Sequence, residues 1–120
     1  MRLNGSDPVL AVHDAARSAE WYRDVLGTDN TDIGGWVFCK LDAVVFRLGT
    51  CPEAIEARDL GDHRYVSYLQ VDDVDAFYER AVAAGAAMPK EVRTEPWGMR
   101  EFALESPDGH RFMLGQRVTD

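Results

Sequence analysis

The sequence predicts an α+β fold made of two similar strand–helix–strand–strand–strand modules. Two observations carry this. Val12-His13-Asp14, followed by a helical stretch closing at Leu26-Gly27, returns as Val71-Asp72-Asp73 with a stretch closing at Ala84-Gly85. Phe46-Arg47-Leu48-Gly49 then returns as Phe112-Met113-Leu114-Gly115. The copies run over about 7–49 and 64–115 of a chain whose 120 residues fit one domain. Two such halves imply similar supersecondary units related by a pseudo-twofold axis. A site at that axis takes one set of residues from each copy.

Each element follows from local chemistry. Residues 8–12 are a short β-prone run, and Asp14 reads as an N-cap whose carboxylate accepts first-turn N–H groups. Apolar residues at 15, 18/19, 22 and 25/26 keep the helical period, and Gly27 supplies the left-handed stop. Thr28 to Ile33 is a weak strand, and Gly34-Gly35 a turn. Trp36–Cys39 and Val44–Leu48 form two strands around a Lys40-Leu41-Asp42 hairpin, and residues 50–63 form a polar junction. In the second copy Tyr65–Val71 is a strand. Asp72 or Asp73 caps a helix carrying Val74, Phe77, Tyr78, Ala81 and Val82, which Gly85 ends. Glu91–Arg93 is a weak strand. Arg100–Leu104 and Arg111–Leu114 are joined by Ser106-Pro107-Asp108-Gly109, where Pro presets φ and Gly accepts positive φ.

Composition bounds the partners. Thirteen basic against twenty-one acidic residues leave a net charge of −8. That disfavours nucleic acid and anionic membrane, and it attracts cationic small molecules. No apolar run approaches the roughly 18 residues of a membrane span, and no signal-peptide core opens the chain, so a cytoplasmic location is expected. Cys39 and Cys51 lack metal-ligand spacing, and Cys39 reads as a small core residue.

The doubled pattern resembles the vicinal oxygen chelate superfamily, the glyoxalase, bleomycin-resistance and extradiol dioxygenase group. Pro8-Val9-Leu10-x-Val12-x-Asp14, Ser18, Trp21-Tyr22-Arg23-Asp24 and Val25-Leu26-Gly27 resemble its first half. Trp97-Gly98-Met99-Arg100-Glu101-Phe102 and Ser106-Pro107-Asp108-Gly109-His110 resemble its second, so the likeness covers 8–116. It implies curved mixed sheets around a concave cleft, and a homodimer whose interface builds two such clefts.

The resemblance also implies where metal ligands would stand: at the start of the first strand and within the last strand of each copy. Those positions carry Asp7, Arg47, Val66 and Met113. Val66 has no donor atom, Met113 offers a soft thioether, and the permanent Arg47 cation repels a divalent ion. No metal and no other cofactor is therefore expected. His13, His63 and His110 fall on unrelated elements and read as surface or turn residues. No Ser/His/Asp or Cys/His constellation and no phosphate loop stands out.

Without a metal, the concave face would recognise ligand by shape, stacking and a few polar contacts. Trp36, Phe38, Arg47, Tyr68, Trp97, Met99, Phe102 and Met113 are the candidate ligand-binding set, with no catalytic residue. Strand parity sends Phe46 and Phe112 to the core and Arg47 and Met113 to the opposite face. Arg47 either meets a ligand anion or pairs with Asp7 or Glu101, and Arg100 is expected to anchor the last turn through Asp108. The reading that follows is a non-catalytic protein that sequesters an antibiotic-type, cationic or aromatic small molecule. The alternative is a metal-dependent lyase or oxygenase with atypical ligands.

Overall fold

A computed structural model describes residues 1–119. The chain falls into two compact units, one of residues 1–54 and one from residue 55 onward. Each is an α+β unit with one four-stranded mixed sheet and one main helix.

In the first unit the elements are β1 (Val9–Val12), α1 (Ala15–Trp21), β2 (Asp29–Asp32), β3 (Trp36–Leu41) and β4 (Val44–Thr50). The sheet order is β1-β4-β3-β2, with β1 parallel to β4 and the other pairs antiparallel. Asp14 caps α1 by accepting from the Arg17 N–H. The last turn, Tyr22–Leu26, is wide: the Gly27 N–H reaches the Tyr22 carbonyl five residues back, at 3.1 Å, and Gly27 takes φ 83°. Leu10, Val12, Ala15, Ala19, Tyr22, Val37, Cys39, Phe46 and Leu48 form the core under this helix. Burial pushes the Cys39 thiol up to about 11, so it behaves as a small apolar group.

The second unit holds β5 (Tyr65–Gln70), α2 (Val74–Ala83), β6 (Ala87–Thr94), β7 (Met99–Glu105) and β8 (Arg111–Arg117). Its order, β5-β8-β7-β6, repeats the first topology with β5 parallel to β8. Asp73, not Asp72, is the cap, accepting from the Ala76 N–H. Val74, Ala81, Phe102, Leu104, Phe112 and Leu114 are fully buried, and Phe102 meets Tyr78 edge-on. The copies also share a device that pattern reading does not show. The first N–H of each helix donates to a side chain at the end of its unit's last strand: Ala15 to Thr50 and Val74 to Gln116, both at 3.0 Å. This satisfies a helix-terminal donor and fixes helix to sheet.

Several expectations change in detail. The first hairpin turns at Asp42-Ala43, because β3 continues to Leu41, which pairs with Val44. The weak second strand of the second copy extends over eight residues, with register shifts at an edge where Pro89 costs no ladder bond. Arg100 pairs with Asp75 of α2 at 3.0 Å instead of Asp108, since its side of β7 faces the helix. The terminal turn is held by Arg64, which donates to the Gly109 carbonyl and to Glu105. His110 is not a surface residue: it is 6% exposed, and among the described residues its Nδ1 has no hydrogen-bond partner. Neither helix is long and apolar enough to cross a membrane.

Candidate functional site

Each sheet buries one face under its own helix, and strand alternation sends the other set of side chains to the opposite, open face. The candidate residues sort by this parity.

On the first unit's open face Phe38 pairs across the strands with Arg47, and Trp36 with Gly49. The Arg47 guanidinium lies 4.9 Å from the centre of the Phe38 ring and donates to the Asp7 carboxylate at 3.0 and 3.3 Å. Asp7 also accepts the Val45 N–H. Arg47 and that N–H hold the Asp7 carboxyl below its ordinary value. Of the partners open to Arg47, the structure therefore shows Asp7. Trp36 is partly exposed and lies on Gly49, where an added Cβ would meet its ring at 3.1–3.3 Å.

The second unit's open face is built on Glu101, which is 4% exposed although ionisable. Tyr68 donates its hydroxyl to Glu101 at 2.6 Å, and Lys90 donates to it at 2.8 Å. Lys90 also reaches the buried Glu95, which Arg93 grips as well. Burial and the Glu101 carboxylate push the Tyr68 phenol up to about 12, so it stays a donor. Gly115 makes this possible, because an added Cβ there would lie 1.8 Å from the Tyr68 oxygen. Glu95 belongs to a tight turn closed by Gly98 N–H to Glu95 O and Glu95 N–H to Met99 O. That turn presents Trp97, which is 60% exposed and has the Lys90 ammonium 5.8 Å from its ring centre. Met99 and Met113 share this face by parity, both half-buried.

Phe102 is the exception among the candidates. It faces α2, is completely buried against Tyr78, and is a core residue that no ligand on the open face would touch. The residues the sequence reading missed are Lys90, Glu95 and Arg93. Lys90 lies in a polar edge strand with no periodic signal, and its role exists only through the pairing of β6 with β7. The glycine of the repeated Phe-x-Leu-Gly pattern did carry a signal: in both copies it leaves room for a large side chain to cross the strand.

The four positions at which the family resemblance would place metal ligands do not fit a divalent ion. Arg47 already neutralises Asp7, Val66 is aliphatic, and Met113 is a thioether on a half-buried strand. Among the described residues no group of three or more His, Cys, Asp or Glu gathers that could hold one.

Comparison with known proteins agrees with this architecture. An uncharacterized protein of Mycobacterium bovis is 38% identical over 94% of this chain and 83% of its own length. The crystal structure of TioX from Micromonospora sp. ML1 superposes with a TM-score of 0.76 at 22% identity, covering 96% of this chain and 99% of that one. A bleomycin resistance determinant encoded on the transposon Tn5 gives a TM-score of 0.76 at 21% identity, over 98% of this chain and all of that one. A family model covers residues 6–114, and with it the chain belongs to the Glyoxalase/Bleomycin resistance protein/Dioxygenase superfamily.

Proposed function

We propose that this protein is a non-catalytic, metal-free binder that sequesters a small, flat, aromatic molecule of antibiotic type, and that it works as a cytoplasmic homodimer with its ligand in interface clefts. The observation that carries the reading is the replacement of a metal-ligand set by the Asp7–Arg47 ion pair, Val66 and Met113, on sheets whose open faces present the rings of Trp36, Tyr68 and Trp97. Rings of this kind give large contact area at little entropic cost. Around them, among the described residues, ion pairs and hydrogen bonds commit the Asp7, Glu95 and Glu101 carboxylates to basic or hydroxyl partners. The fold shared with a bleomycin resistance determinant supports the same reading. Protection would then come from mass action alone.

A thermal-shift screen of glycopeptide and aromatic antibiotics, run with and without divalent cations, tests this. A bound ligand at a hundred times its Kd stabilises by about 2.7 kcal/mol, a shift of several degrees for a chain of this size. The expected result is a shift that does not depend on cations. A stoichiometric divalent ion retained by the protein after dialysis would overturn the metal-free reading.

A further inference from the structure

The open face of the second unit carries a charge opposite in sign to that of the whole chain. Its carboxylates are each shared by two donors. Glu95 takes Lys90 and Arg93, Glu101 takes Lys90 and the Tyr68 hydroxyl, and Glu105 takes Arg64 and Arg111. The next same-face residue of β8 after Gly115 is Arg117. Among the described residues Arg117 meets no carboxylate, and its one hydrogen bond, to the Thr119 carbonyl, is long at 3.5 Å. Among the described residues, five of these cations thus face three carboxylates, in a chain of net charge −8.

Arg117 is also placed where a ligand would lie. Its Nη1 is 3.5 Å from where a Cβ on Gly98 would stand, beside the exposed Trp97. It acts on the Tyr68 phenol, which reaches over Gly115 two residues before it. Tyr68 and Lys90 donate to Glu101, so among the described residues the Arg117 guanidinium is the cationic group of this face that meets no carboxylate.

We infer that Arg117 is an anion anchor, and that the molecule taken by this face is a planar aromatic carrying a carboxylate or a similar anionic group. The ring would lie against Trp97 and Tyr68, with the anion in the guanidinium fork. This rests on the binding reading above and deepens it. It reverses the sign that net charge alone suggests, because close contacts are set by the nearest charges and distant ones are screened beyond about 8–10 Å.

The test uses three probes of one shape: 2-naphthoate, 2-naphthamide and 2-naphthylmethylammonium, each titrated into the full chain by calorimetry. The expected order is carboxylate, then amide, then ammonium. Arg117→Met should weaken naphthoate by about tenfold, the scale of one lost charge-assisted hydrogen bond, while changing naphthamide by less than about twofold. Arg117→Lys should restore part of the carboxylate preference, and raising the salt should shrink it. Arg117 is exposed, so both variants should keep the parent melting temperature. Binding of all three probes with no carboxylate preference, or a preference that survives in Arg117→Met, would overturn the anion anchor and leave the binding reading standing. Binding of none would overturn both.

Discussion

Tyr68 and Glu101 meet at 2.6 Å across the point where Gly115 lacks a side chain. A half-exposed phenol is thereby locked onto a buried carboxylate, and the open face of the second unit is organised around that bond.

Gly115→Ala should evict Tyr68, because the new methyl would overlap its hydroxyl oxygen. The hydrogen bond to a charged acceptor is then lost, at a cost of about 1–2 kcal/mol given the exposure of the ring. Urea denaturation measures this, and spectroscopic titration should show the phenol falling from about 12 toward its ordinary 10.0. In a Tyr68→Ala background the same glycine change should cost far less, since the clash is gone. An equal cost in both backgrounds would rule out the steric account. Gly49→Ala should be milder, as Trp36 need move only a few tenths of an ångström.

Acid should uncouple Arg47 from Asp7. The Asp7 carboxyl titrates below its ordinary 3.8 in the fold, so its contribution is complete above that value and fades as pH drops through the lower folded value. Asp7→Asn should therefore lower the urea midpoint at neutral pH, and the gap to the parent should close as pH falls below 3.8. A constant gap at every pH would show that the pair contributes through packing instead of charge.

His110 should make the protein less stable as pH falls from about 7 to 5. Burial lowers its value below 6.5, with Asp108 opposing and Arg64 adding to the effect. The unfolded chain then binds a proton before the folded one does, and folding weakens across that window. His110→Gln should flatten the slope of stability against pH there. NMR titration of the imidazole gives the folded value directly.

Trp97→Ala and Trp36→Ala should each weaken a stacked ligand by roughly 1–3 kcal/mol while changing melting temperature little, because both rings are exposed. Phe102→Ala should do the opposite. It empties a core position beneath Tyr78 and destabilises the fold by about 3–5 kcal/mol. Binding measured by fluorescence quenching separates the two outcomes.

The repeat made the architecture legible before any coordinates. Phe46 and Phe112 read as core because each copy gives the other its register, and the same alternation put Arg47 and Met113 on the open faces. Parity alone could not orient Phe102, since β7 buries four consecutive residues, Glu101 to Leu104, and loses the apolar-polar alternation that would have shown its side. Lys90, Glu95 and Arg93 were illegible for another reason. Their function is a mutual one, created when an edge strand with two register shifts brings polar residues under a turn, and no spacing in one dimension encodes it. Arg100 misled because an arginine near a turn has several reachable acids, and only the packing of α2 selects Asp75.

The wide turn at Tyr22–Leu26 accounts for a small mismatch between the copies. Thirteen positions separate Asp14 from Gly27, but twelve separate Asp73 from Gly85, and α2 ends without the widening. One added residue has been taken up as a bulge, leaving the cap, the stop signal and the buried Tyr22, Val25 and Leu26 in place. A helix of this scaffold can thus hold one more amino acid between its cap and its stop signal, which gives each half latitude to drift in length while its strand order stays the same.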